Sequence, residues 1–433
     1  MTFRLTDRFW RWIRVAVAAL LTGCAGNPQV AEVQLASDSE EILIRDLYCS
    51  RSGSLVAVGN IGALQTQGVA LYSDDRGGTW RKAAIDPAPE GVSLSLVQMP
   101  SPTGAPQLYV AGYRDKAPGP AEPGPWWISP DGGRSWRDGE PKLPLGARQA
   151  LRFGPKRAPE VAVADASGIL VAVIAEGDGV FVLRSTDWGG DWDKRRLPMP
   201  RDFASRVVTD ERGHLAFFGR SLPRHPLDDD IGRVYWSADA GATWHEAPEG
   251  AALPPSMRLF MSPTGTMIAS NASPRTRGDT LVFRSTDHGR TWERAPVGDA
   301  GVIIGIAGNG QGRLVAVTEF LSLLLSDDDG ATWRNGRLPA FHFTRSFERS
   351  FTWTTAPVAF LGERVVIAAI GNRILRSSDG GETWTVVGPG PAVREYRWTE
   401  LCADGKGLVV AGGEGMIARS LDWGLTWQRG KME

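Results

Sequence analysis

The segment Arg394-Glu395-Tyr396-Arg397, with Glu400 beyond it, is where this chain gathers groups able to do chemistry. A tyrosine polarised by a carboxylate can attack a glycosidic carbon while arginines hold an anionic sugar. Tyr396 as nucleophile and Glu400 as its partner are therefore the catalytic candidates. The other five tyrosines (Tyr48, Tyr72, Tyr109, Tyr113 and Tyr235) have no comparable late, arginine-rich surroundings. The remaining carboxylates are too scattered to nominate an acid/base pair. The residues thus favour binding over catalysis, with glycoside hydrolysis as the alternative.

Other chemistries find less support. The five histidines, His214, His225, His245, His288 and His342, lack metal-ligand spacing, so no metal and no cofactor are expected. Asp228-Asp229-Asp230 could touch calcium but reads better as a solvated acidic loop. No phosphate-binding glycine loop or nucleophile elbow occurs. Trp126-Trp127 could stack on sugar, yet the pair opens a strand, where burial is the expected fate. The net charge is −1, and omitting residues 1–23, which hold four Arg and one Asp, makes it −4. That balance does not suggest nucleic-acid binding.

The arginines cluster in longer segments. They are Arg114 in 113–125, Arg220 and Arg224 in 220–231, Arg275 and Arg277 in 271–279, Arg345 and Arg349 in 341–353, and Arg394 and Arg397 in 391–398. Phe343, Phe347, Tyr396 and Trp398 interleave with them. Guanidinium groups beside aromatic rings suit protein interfaces and anionic ligands. Arg224, Arg275, Arg345, Arg349, Arg394 and Arg397 are the binding candidates.

The elements that must position these residues repeat. Eight times the chain spells a form of Ser-x-Asp-x-Gly-x-Thr-Trp, beginning at Ser73, Ser129, Ser185, Ser237, Ser285, Ser326, Ser377 and Ser420. The closing tryptophans are spaced by 56, 56, 52, 48, 41, 51 and 43 residues. A period near fifty with one turn motif per period marks a repeat architecture. An apolar run such as Val180-Phe181-Val182-Leu183 precedes each box as a strand. The carboxylates of Asp75, Asp131, Asp187, Asp239, Asp287, Asp328, Asp379 and Asp422 can accept N–H bonds from the turn. The following Gly permits positive φ, and the Trp starts a second strand.

Two further strands precede each box. In the first unit the pattern predicts strands over 42–49, 55–58, 69–73 and 79–85. In the last it predicts 398–403, 408–412, 415–420 and 426–430. Four short strands per period describe a β-propeller blade. The expectation is an all-β chain forming a single propeller of about eight four-stranded blades over 41–433, or seven if one box is decorative, with the box between third and fourth strands. The box turns then share one face with the first–second loops. The arginine-bearing segments fall on the other face, the loop face.

The box resembles the bacterial neuraminidase repeat, or Asp-box, of sialidases and other propellers. Blades such as 364–384 (RVVIAAIGNRILRSSDGGETW) and 408–427 (LVVAGGEGMIARSLDWGLTW) resemble the photosystem II stability/assembly factor family over roughly 41–433. The first resemblance implies an exo-sialidase or related glycosidase, although the early Arg-Ile-Pro signature is absent. The second implies a scaffold that assembles or stabilises an envelope or membrane protein complex.

Residues 1–23 have a basic start, Arg4 to Arg14, and a short apolar core, 15–21, that ends at Leu21-Thr22-Gly23-Cys24. This resembles a bacterial lipoprotein signal, which implies lipidation of Cys24 and removal of the leader. Residues 24–40 then read as a tether. The implied location is the cell envelope, at the outer membrane facing the periplasm or on the cell surface. Cys49 and Cys402 each lie six residues before a Leu that opens a second strand. These are matching places in the first and last blades. Two buried thiols or a ring-closing bridge are the alternatives, and a bridge needs Cα atoms about 5.5 Å apart.

Overall fold

The computed structural model describes residues 42–433 apart from 51, 62–66, 100–105, 114–124, 143–161, 166, 177–178, 199–202, 205–206, 222–230, 249–252, 255–256, 272–279, 298–299, 321, 340–356, 371–372 and 389–397. Every regular element among the described residues is a strand. They form eight sheets, each an antiparallel meander of first to fourth strand, arranged in a ring as an eight-bladed β-propeller. Blade 1 runs from Ile42–Cys49 through Leu55–Ile61 and Gln67–Ser73 to Thr79–Lys82. Blade 8 runs from Trp398–Ala403 to Gln428–Arg429. In blade 4 two short strands, Phe203–Ala204 and Val208–Thr209, share the first place and pair with Leu215–Ser221.

The core follows from strand periodicity. Successive side chains point to opposite sheet faces, and in a closed ring both faces of a blade are covered. The second strand Leu55–Ile61 is accordingly buried at all seven positions. Leu55 and Ala57 join an apolar cluster with Leu408 and Val410 of blade 8. Val56 and Val58 join Leu108, Val110 and Trp127 of blade 2. The eight clusters lie one at each seam between neighbouring blades.

Two strand expectations need correction. The run 79–85 is not one strand: it breaks at Ala83, and Ala84–Asp86 crosses to pair in parallel with Ser135–Arg137 of blade 2. The last strand, expected over 426–430, is only Gln428–Arg429, and the residues after it leave blade 8's sheet. Lys431–Met432 pairs in parallel with Thr79–Trp80 of blade 1, and Lys431 N–H donates to Gly78 O at 2.8 Å. In each case the residues after the box satisfy their backbone groups on the neighbour's outer edge, which a sheet otherwise leaves unpaired.

The closing seam between blades 8 and 1 carries a disulfide. Cys49 and Cys402 are bonded with Cα atoms 5.7 Å apart. They do not occupy matching rungs. Leu55 and Val409 pair with the first residues of their boxes, Ser73 and Ser420; Cys49 lies opposite Leu55, whereas Cys402 lies opposite Val410, one rung further on. At the same seam, Thr399 Oγ1 donates to Ile44 O at 2.9 Å.

Candidate functional site: the box rim and the loop face

Each box closes on itself. In blade 1, Ser73 Oγ donates to Asp75 Oδ1 at 2.8 Å and accepts Gly77 N–H at 2.8 Å. Asp75 also accepts Thr79 N–H and Thr79 Oγ1, both at 2.9 Å, and Trp80 Nε1 donates to Gly77 O at 3.2 Å. The scheme recurs with Asp131, Asp239, Asp287, Asp328, Asp379 and Asp422. Asp187 accepts the Ser185 hydroxyl and Asp191 N–H but no second hydroxyl, because Asp191 replaces the Thr. Burial opposes ionisation of Asp75, Asp379 and Asp422, but the bonds from Ser, Thr and backbone outweigh it and bring each pKa to about 2. The other box carboxylates shift in the same direction.

The Gly after the Asp is not alone in needing positive φ. The residue between them is also left-handed: φ is 58° at Arg76, 54° at Ala240 and 57° at Asp329. In blades 2 and 7 this place is itself glycine, Gly132 and Gly380. The distorted turn aims a carbonyl at the adjoining blade. Arg184 Nε, just before its own box, donates to Ala240 O of blade 4 at 2.9 Å. Arg284 reaches Asp329 O and Arg376 reaches Trp423 O in the same way.

These contacts put the boxes on one rim. Box 3 touches box 4 through Arg184, and Arg290 of box 5 lies over the Trp236 ring that precedes box 4, 4.4 Å from its centroid. First–second loops share the rim, since Ala240 N–H donates to Gly213 O and Trp423 N–H to Gly407 O, both at 2.9 Å. His288, which fills a variable box place, stacks on His214 of blade 4 with centroids 3.8 Å apart, and His214 Nδ1 lies 2.7 Å from Asp210 Oδ2. The two histidines are 74 positions apart in sequence, so spacing could not reveal the pair. No group of three potential metal ligands occurs among the described residues.

The loop face carries the second–third hairpins. Tyr396 and the arginines Arg224, Arg275, Arg345, Arg349, Arg394 and Arg397 lie outside the described residues, as do Asp228-Asp229-Asp230 and Cys24. Glu400 is described: it is half-buried on blade 8's first strand, opposite Gly412. Trp126 and Trp127 are buried, and Trp127 Nε1 donates to Pro87 O at 2.9 Å, so neither offers a face for sugar. Asp327 is an ion-pairing residue, bonded to Arg313 and Arg334.

Sequence reasoning missed Phe320. It sits in the second–third hairpin of blade 6 with 67% of its surface exposed. The hairpin is held by Glu319, whose N–H donates to Val302 O at 2.8 Å and whose Oε1 accepts Val302 N–H at 3.0 Å. Phe320 lies so close over Gly301 that a Cβ there would come within 2.6 Å of its ring. Nothing in 319–325 (EFLSLLL) separates this one exposed ring from the strand residues that follow. Arg258, one rung from the loop-face end of blade 5's first strand, has its pKa lowered by desolvation.

The sequence profile of the BNR repeat-like domain matches residues 118–301. Comparison with curated proteins finds no match. Among solved structures, the chain is similar to YCF48 from Cyanidioschyzon merolae at 15% identity and a TM-score of 0.47, over 88% of this chain and 96% of that one. It is similar to YCF48 bound to D1 peptide at 15% identity and a TM-score of 0.43, over 88% and 92%. It is also similar to a Hadza microbial sialidase at 17% identity and a TM-score of 0.38, over 75% and 73%.

Proposed function

We propose that this propeller is a non-catalytic scaffold of the cell envelope that holds a protein partner, a component of a membrane complex, on its loop face. One observation carries the reading: every box spends its Ser, Asp and Trp polar atoms on its own turn. The rim is therefore framework. The long variable segments and the exposed Phe320 belong to the opposite face, where loops on a rigid frame serve binding. The proposed contacts are Arg224, Arg275, Arg345, Arg349, Arg394 and Arg397, with Phe320 as an apolar anchor.

The anchoring is part of the proposal. Residues 1–23 act as leader, Cys24 carries lipid, and residues 24–40 link it to the disc. The first strand begins at Ile42 opposite Ile61, the residue leading into a second–third hairpin, so the chain enters the ring on the loop face. A lipid at Cys24 then keeps the propeller near a membrane and its complexes, in the periplasm at the outer membrane or at the cell surface.

The test is a photo-crosslinker at Arg345 or Arg394 in cells. The expected result is one recurrent membrane-protein adduct. Its absence, together with hydrolysis of a sialoside by the purified protein, would replace the scaffold with an exo-sialidase that uses Tyr396 and Glu400.

A further inference from the structure

The eight boxes serve as internal controls for one another. Their second, fourth and sixth positions carry variable side chains. Blade 7 has Ser378, Gly380 and Glu382 there, and blade 1 has Asp74, Arg76 and Gly78. Blade 8 has Leu421, Trp423 and Leu425, exposed by 45%, 38% and 55%. No other box has more than one large apolar residue in these places. The turn does not require them, because the same bonds form in blade 8 (Thr426 N–H to Asp422 at 2.8 Å, Trp427 Nε1 to Gly424 O at 3.0 Å) and in blade 7 (3.0 and 2.8 Å).

Basic groups outnumber acidic ones around this patch. Trp423 N–H donates to Gly407 O beside Lys406, and Arg376 donates to Trp423 O at 3.0 Å. Arg429 and Lys431 follow on exposed strands. Of the nearby carboxylates, Asp404 pairs with Arg76 at 3.1 Å and Glu433 with Arg81 at 2.7 Å, while Asp422, held ionised by its own turn, is outnumbered by Arg376, Lys406, Arg429 and Lys431. Clustered leucine and tryptophan with a basic collar match the interface of an anionic bilayer.

We infer that the rim of blade 8 is a membrane-contact site, in which Leu421, Trp423 and Leu425 insert between anionic phospholipid headgroups. A lipid on Cys24 is not required but fits. From Cys24 to Ile42 the chain can span roughly 60 Å, against about 23 Å for a seven-residue strand crossing the disc.

The test uses the chain from residue 24 with Cys24→Ser, which keeps the whole ring because Glu40–Glu433 is one compact unit. It is mixed at low salt with vesicles of equal parts phosphatidylglycerol and phosphatidylcholine, or of phosphatidylcholine alone. Cosedimentation with the anionic vesicles and quenching of tryptophan emission by brominated lipid are expected. A second variant adds Leu421→Ser, Trp423→Gly and Leu425→Glu, which copies the box of blade 7. Its melting temperature is expected to hold while vesicle binding falls roughly tenfold or more. Equal binding by this variant, or no binding by the parent, overturns the proposal. So does a photo-crosslinker at Leu425 that captures a single protein rather than lipid in cells.

Discussion

Arg419 Nη1 of blade 8 donates to the backbone carbonyl of Asp75 in blade 1 at 2.6 Å, joining residues 344 positions apart. Arg419 Nη1 also donates to Arg76 O at 3.1 Å, and bonds to the equivalent box carbonyl link blades 3 and 4, 5 and 6, and 7 and 8 through Arg184, Arg284 and Arg376. A guanidinium bonded to a carbonyl is worth about 1.5–3 kcal/mol. Arg284→Met is expected to lower stability by about that amount in urea unfolding, because it leaves Asp329 O without its donor.

The left-handed box residue predicts two opposite outcomes. Ala240 holds φ 54° at a strain that glycine avoids, so Ala240→Gly should raise stability by up to about 1 kcal/mol. Gly241→Ala should do the reverse by more. Its φ is 79°, and the new Cβ would lie 2.7 Å from a Val171 methyl. Thermal melts of the two variants give the signs directly.

The box carboxylates predict acid lability. Their folded pKa values lie below the ordinary 3.8 and reach about 2 at Asp75, Asp379 and Asp422. A depressed carboxylate contributes stability above its unfolded pKa and loses it as pH falls through the folded value. The urea midpoint should therefore hold steady above about pH 4 and fall between about pH 4 and 2, with a smaller fall for Asp379→Asn measured against its own neutral-pH value.

The His214–His288 stack has its own window. Desolvation and the neighbouring His214 lower the His288 pKa, while Asp210 opposes them. The folded chain thus resists a proton that the unfolded chain accepts, and stability should drop as pH falls below 6.5. A His288→Asn variant should lose that slope between pH 7 and 5.5, as read by melting temperature.

The disulfide should close the ring. Alkylation of the denatured, unreduced protein should leave Cys49 and Cys402 unlabelled. Reductant should lower the melting temperature of the wild type but not of the Cys49→Ser/Cys402→Ser double variant, with a contribution of at most roughly 5 kcal/mol.

Much of this was legible in sequence because the determinants are local. The box needs a carboxylate, a glycine and an indole within eight residues, and the apolar runs of the second strands announce burial on both faces. What was illegible depends on neighbours. Residues 79–85 hold no Gly, Pro, Asn or Asp to mark a break, so nothing in them reveals that Ala84–Asp86 leaves for the next blade. Cys49 and Cys402 are one rung out of match because the counterpart of Leu55 is Val409 rather than Leu408, which counting residues does not detect. His214 meets His288, and Arg419 meets Asp75, only because the ring brings separate blades together. Phe320 is exposed by one tight hairpin in an apolar stretch that otherwise turns inward.

The scaffold reading is tested most directly by comparing photo-crosslinkers at Phe320, on the loop face, and at Ala238, on the box rim of blade 4, in the same cells. The account predicts a single discrete protein adduct from Phe320 and none from Ala238. Adducts from Ala238 with none from Phe320 would contradict it.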